Sequence, residues 1–180
     1  MVEKLEPDVL CSILLLDEAD ASLHTAMAPS LPEEFNRAID GAAVGEKAGS
    51  CGTAAYRREL VIVEDIETDP LWDDYRELAL MHKLRACWSF PLMTQQGKVL
   101  GTFALYNREP SVPNQELTDN LASAAQLATI SITRALDRKT LQESEQRFRS
   151  LFTFNSDAIY SFDLDGNFKL ANDATLELTG

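Results

Sequence analysis

The amino-acid sequence predicts an α+β domain, in which an antiparallel β-sheet with flanking helices is followed by one long C-terminal helix. Two hairpin patterns, within residues 9–28 and 86–106, indicate that neighbouring strands are antiparallel. Helical patterns lie between the two hairpins. From residue 115 onward a helix is predicted for about 35 residues, because glycine and proline are absent from this stretch.

The first hairpin joins two strands near the start of the chain. A mostly apolar segment, Val9 to Leu16, predicts a buried strand, and Ser22 to Ala28 predicts a weaker one after the polar turn Asp17 to Ala21. Pro32 to Ile39 predicts a short helix, because proline is favoured in the first turn and acidic side chains interact well with the positive end of the helix dipole.

The middle of the chain combines short helices with one strand. The glycine-rich segment Gly45 to Gly52 leads into a helix predicted over Thr53 to Arg58, and Leu60 to Val63 predicts a strand. Apolar side chains at helical spacing after Asp69-Pro70 predict another helix across residues 71–83.

The second hairpin has the clearer pattern. Ala86 to Met93 and Lys98 to Tyr106 predict two long strands, and the turn between them, Thr94 to Gly97, has the residue types that hairpin turns favour. A break at residues 110–113 separates this hairpin from the long helix.

The long helix has two apolar seams. The first seam predicts packing on the helix's own domain and consists of Leu117, Leu121, Ala124, Ala128, Ile132 and Ala135. The second seam predicts contact with a partner helix and consists of Leu127, Ile130, Leu141, Phe148 and Leu151. We therefore expect a homodimer that forms through helices.

The charge balance excludes several classes of partner. The chain has 180 residues, with 16 Lys and Arg against 29 Asp and Glu, so its net charge is −13. Nucleic acids and anionic membranes attract clustered cations, whereas the basic residues here are scattered. The longest strongly apolar run, Ile13 to Leu16, is too short to span a bilayer. We expect no nucleic acid and no membrane contact within this chain.

Three cysteines, Cys11, Cys51 and Cys87, lie far apart and form no CxxC motif or cluster with histidine. Neither a disulfide framework nor a metal site is therefore predicted. The start of the chain, Met1 to Asp8, is charged and lacks the pattern of a signal peptide. We expect reduced thiols in a cytoplasmic protein.

Several motifs follow one another in the order in which GAF domains carry them. On these motifs the chain resembles a GAF domain over approximately Cys11 to Arg138: Gly49-Ser50-Cys51-Gly52-Thr53-Ala54-Ala55-Tyr56, Val61-Ile62-Val63-Glu64-Asp65-Ile66, Asp69-Pro70-Leu71-Trp72, Arg85-Ala86-Cys87-Trp88-Ser89 and Gly101-Thr102-Phe103-Ala104-Leu105-Tyr106. The resemblance implies the GAF-like, or profilin-like, fold. It also implies a helix ahead of the first strand, which we expect to be missing or truncated in a fragment of a longer signalling protein.

A second resemblance covers the C-terminal part of the chain. Leu141 to Phe152 and Asp157 to Asn172 resemble the leading helix and first hairpin of a PAS domain. A GAF domain followed by a PAS domain is similar to bacterial sensor histidine kinases of two-component systems and to cyclic-di-GMP synthases and phosphodiesterases. The predicted domains are a GAF domain over 1–138, a helical linker over 139–156 and the start of a truncated PAS domain over 157–180.

The GAF resemblance implies a ligand pocket between the sheet and the helices that cross it. The candidate ligand-binding residues are a thiol at a helix start, side chains of the helical wall and two strand aromatics: Cys51, Trp72, Tyr75, Leu78, Trp88 and Phe103. Side chains alternate between the faces of a strand, so only one set of strand residues can line the pocket, and the sequence does not determine which. The sequence identifies neither the ligand nor a cofactor.

Enzymatic and pigment-binding chemistry is disfavoured by the surroundings of the candidate residues. The motif at Cys51 resembles free methionine sulfoxide reductases, but those enzymes use further cysteines before the next strand, and residues 65–85 contain none. Bilin-binding GAF domains commonly pair a cysteine with a histidine, and His82 has no cysteine in front of it. The Gly45 to Gly52 loop lacks the lysine-serine/threonine end of a P-loop, although a cyclic nucleotide remains an alternative ligand class.

The predicted function is sensory and not enzymatic. A small ligand or a partner would bias the packing of the helix from Gln115 to Leu151 across a dimer, and PAS and kinase or cyclic-di-GMP (GGDEF/EAL) domains beyond Gly180 would supply the output. Two alternatives stay open. One is a thiol-dependent reductase that uses Cys51 and Cys87, and the other is a ligand-free dimerisation module.

Overall fold

The structure, a computed structural model, describes residues 9–179 of the chain. The chain divides into two units, residues 1–132 and 133–180. The expected loss or truncation of a helix ahead of the first strand concerns residues 1–8, which lie outside the described residues. Across residues 9–179, no helix combines the length and the apolar content that crossing a bilayer requires.

The first unit contains one antiparallel sheet. Its strands are β1 (Leu10–Asp17), β2 (Ser22–Met27), β3 (Ala42–Ala43), β4 (Val61–Val63), β5 (Ala86–Met93) and β6 (Val99–Asn107). They lie in the order β3-β2-β1-β6-β5-β4, and every neighbouring pair is antiparallel. Both predicted hairpins, β1–β2 and β5–β6, are confirmed.

The helices of the chain confirm the α+β class. They are α1 (Glu33–Ile39), α2 (Gly49–Arg57), a 3₁₀ helix (Pro70–Trp72), α3 (Arg76–Met81), α4 (Gln115–Thr153) and α5 (Asp173–Thr179). Helix α4 is the predicted long helix and is continuous for 39 residues. Helix α1 also has the predicted extent, with Glu33 and Glu34 in its first turn.

The predicted start of α2 at Thr53 is wrong, because the helix begins at Gly49 and includes part of the glycine-rich segment. A Cβ atom at Gly52 would collide with the backbone oxygen of Ala43 on β3 and lie 2.6 Å from the Cβ of Ala48. The absence of a side chain therefore lets α2 pack closely against the sheet. Local propensity disfavours glycine in helices and could not indicate this arrangement.

The single helix predicted over residues 71–83 is also wrong, because the 3₁₀ helix and α3 replace it. The side chain of Asp69 caps the 3₁₀ helix by accepting a hydrogen bond from the backbone N–H of Leu71 at 2.8 Å. Trp72 turns into the core, where its indole N–H donates to Ser50 Oγ at 3.0 Å. These tertiary contacts outweigh the helical spacing of the sequence.

Two apolar cores cover the two faces of the six-stranded sheet. The α2-side core includes Leu14, Leu23, Phe35, Cys51, Val63, Trp72, Cys87 and Tyr106. The α4-side core includes Val9, Trp88, Phe90, Leu92, Phe103, Leu105, Leu121 and Ala125. Alternation along β5 and β6 therefore assigns consecutive residues of one strand to different cores.

The two seams of α4 differ in burial. Leu121 of the first seam is 2% exposed, and Leu117, Ala124, Ala128 and Ile132 pack partly buried against the α4-side core, whereas Ala135 is exposed. All members of the second seam are exposed: Leu127, Ile130, Leu141, Phe148 and Leu151. Packing of the first seam on the helix's own domain is confirmed up to Ile132. Contact of the second seam with a partner helix stays a prediction.

The second unit contains the end of α4, a two-stranded hairpin and α5. Strands β7 (Tyr160–Phe162) and β8 (Phe168–Ala171) pair antiparallel, as the sequence predicts. Asn172 organises the unit, because its side chain accepts from the backbone N–H of Ile159 at 2.9 Å and donates to the carbonyl of Asp157 at 2.8 Å. The aromatic rings of the hairpin are exposed, so the hairpin does not enclose a core.

Candidate ligand pocket

A small cavity lies where the start of α2 and the 3₁₀ helix meet the sheet, and we call it the α2 pocket. Its volume of about 30 Å³ accommodates one or two water-sized molecules. It is lined by Leu14, Ile39, Ala42, Ala48, Gly49, Ser50, Cys51, Gly52, Trp72, Tyr75 and Tyr106. Most of the lining residues are apolar, and those with polar side-chain atoms are Ser50, Cys51, Trp72, Tyr75 and Tyr106.

A chain of buried hydrogen bonds holds Trp72 against this pocket. Trp72 Nε1 donates to Ser50 Oγ at 3.0 Å, and Ser50 Oγ donates to the carbonyl oxygen of Cys87 at 3.2 Å. The ring of Tyr106 packs edge-on against Trp72, with a centroid distance of 6.5 Å, and against Phe35 at 5.7 Å. The pocket wall therefore couples the 3₁₀ helix, α2, β5 and β6.

Two cysteine thiols and a phenol are buried together in the α2-side core, next to the pocket. Cys51 Sγ lies 3.8 Å from Tyr106 Oη. A hydrogen bond from the Cys87 thiol lowers the pKa of Cys51 to about 7, although burial acts in the opposite direction. Burial raises the pKa of Cys87 and that of Tyr106 well above their usual values. The pKa of one thiol is thus lowered, whereas the pKa values of the two neighbouring groups are raised.

The structure brings together only some of the predicted site residues. Cys51, Trp72 and Tyr75 line the α2 pocket. Leu78 packs partly buried against the α2-side core but does not line the cavity.

The expectation that strand aromatics line this pocket requires a correction at Trp88 and Phe103, because both belong to the α4-side core on the opposite face. Trp88 Nε1 donates to the carbonyl of Ser111 at 3.0 Å, and Phe103 packs against Phe90 with a centroid distance of 6.4 Å. The reason is strand alternation. Cys87 faces α2, so its neighbour Trp88 faces the other side.

Two pocket residues, Ser50 and Tyr106, are not among the residues predicted from the sequence to bind a ligand. Cys87 and Tyr106 are direct partners in the β5–β6 register, so their side chains emerge side by side on one face. Once Cys87 is placed on the pocket face, this pairing indicates that Tyr106 lies on the same face. No sequence pattern indicates Ser50, because its place in the pocket wall depends on a hydrogen bond with Trp72, which is distant in sequence.

The two histidines lie outside the pocket lining. His82 follows α3 and contacts the ring of Phe35, with a centroid distance of 5.8 Å. His24 lies on β2, and among residues 9–179 it forms the one group of metal-type side chains found, with Asp17 and Asp20. The ligand atoms of this group lie within 4.8 Å of one another. Asp20 already accepts a hydrogen bond from Ser22 Oγ at 2.6 Å, so local contacts account for this group.

The second unit has a separate apolar groove of about 270 Å³. It is lined by Phe148, Leu151, Phe152, Asn155, Ile159, Tyr160, Ser161 and Leu170. The groove is lined largely by exposed side chains of the hairpin and α4, whereas most residues that line the α2 pocket belong to the buried α2-side core or lie at the start of α2. We therefore take the α2 pocket as the candidate site.

Comparison with known families assigns the first unit. The family model of the GAF domain matches residues 1–133. The chain belongs to the GAF domain family. The chain is also similar to a methyl sulfide methyltransferase-associated sensor from Methanosarcina acetivorans, with 37% identity over 164 residues. That alignment covers 91% of the chain, and the chain spans 16% of the length of that sensor.

Solved structures support the same fold. A domain described as part of a two-component sensor histidine kinase protein from Sinorhizobium meliloti matches with a TM-score of 0.64 and 23% identity, covering 78% of this chain and 90% of the other. A type II free methionine-R-sulfoxide reductase from Thermoplasma acidophilum matches with a TM-score of 0.55 and 15% identity, covering 71% and 82%. These likenesses concern the fold. The family and the sensor relative together support a sensory or regulatory role for this GAF domain.

Proposed function

We propose that this GAF domain is a sensory input module, which binds a small ligand in the α2 pocket and passes the resulting shift through the sheet to α4. One observation carries the proposal: the pocket and α4 lie on opposite faces of the same strands. Tyr106 of β6 lines the pocket, while its neighbour Leu105 packs in the α4-side core with Leu121 of α4. A ligand that displaces Tyr106 would therefore change the surface on which α4 packs.

The lining of the pocket favours an uncharged or weakly polar ligand. Its lining is mostly apolar, and none of the lining residues is acidic or basic. Asp73, Asp74 and Glu77 lie close in sequence to the wall residues Trp72 and Tyr75 and disfavour a highly charged anion. A ligand larger than one or two waters requires an outward movement of the wall. The short 3₁₀ helix, with Trp72, and the adjoining Tyr75 supply the wall that would move.

The proposed output route is α4. Its exposed seam fits a partner helix of a second copy, and a change in that packing would reach a PAS domain at residues 157–180 and output domains further along the chain. We expect Leu127→Glu, Ile130→Glu and Leu141→Glu to abolish the response to input in the protein that carries an output domain. Ser131→Glu is the matched control, because Ser131 is exposed outside the seam. An unchanged response in all three seam variants would contradict this route.

Native mass spectrometry of the purified chain, compared with its denatured spectrum, tests for the ligand and the oligomeric state together. We expect a dimer with an added mass that disappears on denaturation. Ala42→Leu fills the pocket wall and should remove the added mass, whereas Trp88→Phe alters the α4-side core and should retain it. An empty dimer would favour the ligand-free dimerisation module, and an added mass that survives in Ala42→Leu would place the ligand elsewhere.

A second candidate function is a thiol-dependent reductase, and one observation favours it: the side chains of Cys51 and Cys87 are buried in the same core beside Tyr106. The test is turnover of free methionine sulfoxide with a thiol reductant. A rate that disappears in Cys51→Ser but persists in Cys11→Ser would support the reductase. If the folded protein shows no turnover, the reductase function is contradicted and the sensory function is the candidate that remains.

A further inference from the structure

Two buried thiols of different elements meet beneath the α2 pocket. Cys51 lies near the start of α2 and lines the cavity, whereas Cys87 lies on β5 and is completely buried. Ser50, the neighbour of Cys51, donates a hydrogen bond to the Cys87 carbonyl at 3.2 Å. Tyr106, whose Oη lies 3.8 Å from Cys51 Sγ, is the direct partner of Cys87 in the β5–β6 register. Cys11 lies on β1 and packs against the α4-side core on the opposite face of the sheet. The fold therefore selects one pair out of the three cysteines.

We propose that Cys51 and Cys87 are an oxidisable pair, which hydrogen peroxide entering the α2 pocket converts into a disulfide between α2 and β5. The inference does not rest on the proposed ligand, because the product is read on the protein itself. It differs from the reductase alternative, which requires methionine sulfoxide as the oxidant and a turnover cycle.

The two thiols differ in the way that such a reaction requires. The thiolate is the nucleophile, and a hydrogen bond from the Cys87 thiol lowers the pKa of Cys51. Burial raises the pKa of Cys87, so Cys87 retains its proton. Cys51 also lines the cavity, whereas Cys87 does not, so Cys51 is the attacking group and Cys87 the resolving group.

The chemistry balances in two steps. The Cys51 thiolate attacks one oxygen of hydrogen peroxide, the O–O bond breaks, and the products are a sulfenic acid on Cys51 and hydroxide, which takes up the proton that Cys51 released and becomes water. The Cys87 sulfur then attacks the sulfenic sulfur, the S–O bond breaks, and the Cys87 proton leaves with the hydroxyl group as a second water. Two thiols lose two electrons in total, and one peroxide molecule accepts them.

Access to the pair is restricted by the size of the cavity. Cys51 lines a space of about 30 Å³, whereas Cys87 does not line it, so an oxidant reaches Cys51 first. Hydrogen peroxide is only one oxygen atom larger than water and fits such a space. Cumene hydroperoxide carries an aromatic ring and does not fit. The geometry thus favours the smallest peroxide.

A disulfide would connect the pocket directly to the packing of α4. Cys87 precedes Trp88 on β5, and Trp88 packs in the α4-side core and donates to the carbonyl of Ser111. Closing the gap between the sulfurs pulls α2 toward this strand, because an S–S bond of about 2 Å is shorter than the contact between two thiols. Oxidation would therefore alter the same sheet that separates the pocket from α4.

The test is peptide mapping of the full chain after treatment with hydrogen peroxide and alkylation of the remaining thiols. Trypsin releases Cys51 within residues 48–57 and Cys87 within residues 86–98, so the disulfide appears as one cross-linked species. We expect this species, a mass loss of about 2 Da for the two hydrogens removed, and reversal by dithiothreitol. Cys11 should remain open to alkylation after unfolding. Cumene hydroperoxide at the same concentration should produce at least tenfold less of the cross-link.

Variants assign the roles of the two thiols. Cys11→Ser should form the cross-link as the wild type does. Cys87→Ser should instead accumulate sulfenic acid on Cys51, which dimedone traps, and Cys87→Ala repeats this test if the serine variant does not fold. Three thiols that stay alkylatable after peroxide treatment of the folded wild type would overturn the proposal. So would a cross-link that includes Cys11, or equal rates with both peroxides.

Discussion

The hydrogen bond from Trp72 to Ser50 is the contact on which the geometry of the α2 pocket depends. Both side chains are buried, and Ser50 Oγ accepts from Trp72 Nε1 at 3.0 Å while it donates to the Cys87 carbonyl at 3.2 Å. Ser50→Ala removes both bonds and leaves the indole N–H buried without an acceptor. An unsatisfied buried donor costs about 1–3 kcal/mol, and the second lost bond costs about 0.5–1.5 kcal/mol. We therefore expect Ser50→Ala to lower the free energy of unfolding by about 2–4 kcal/mol.

Urea unfolding followed by far-UV circular dichroism measures this loss and does not depend on tryptophan fluorescence. With a slope of about 1–3 kcal/mol per molar urea, the midpoint should fall by about 1 M or more. Ser131→Ala is the matched control, because Ser131 is exposed on α4 and its hydroxyl bonds only to the Leu127 carbonyl. That change should stay within about 0.5 kcal/mol of wild type.

A double-mutant cycle separates the hydrogen bond from the packing of the indole ring. Trp72→Phe removes the donor, so Ser50→Ala should cost less in the Trp72→Phe background than in the wild type. We expect a coupling of about 1–2 kcal/mol between the two positions. Costs that add within about 0.5 kcal/mol would show that the two side chains do not stabilise each other, and the reasoning would be refuted.

Two further predictions concern packing and pH. Gly52→Ala should lower the free energy of unfolding by about 1–3 kcal/mol, because the new Cβ would meet the Ala43 backbone, which yields less easily than a side chain. Gly45→Ala is the control, because its Cβ would have no neighbour closer than 3.9 Å. It should be nearly neutral in the same urea assay. The Asp65 carboxylate accepts a hydrogen bond from Arg85 at 3.0 Å, and this bond lowers the pKa of the carboxyl group. The stabilisation of the folded protein by this pair is complete above the unfolded pKa of about 4. It is lost as the pH falls through the lower pKa of the folded state. Asp65→Asn should therefore destabilise the protein at pH 7, and its free energy of unfolding should equal that of the wild type near pH 2. A difference in free energy of equal size at both pH values would contradict the role given to the Asp65–Arg85 pair.

Much of the fold could be predicted from local patterns. The strands and turns of both hairpins, the start of α4 at Gln115 and the small hairpin around Asp165-Gly166 all occur as predicted. The errors lie where tertiary contacts dominate. Gly49 to Gly52 are helical because α2 packs against Ala43, and the helix after Asp69 is interrupted where Trp72 enters the core.

The sequence by itself determined the antiparallel sheet, the long helix and the GAF motifs, because alternation, turn chemistry and the absence of helix breakers act over short stretches of chain. Only the tertiary structure decided which side chains share the pocket. Both faces of β5 and β6 are apolar, so no local pattern distinguishes them. Because α2 covers the face that holds Cys87 and Tyr106, Trp88 and Phe103 are left to pack beneath α4.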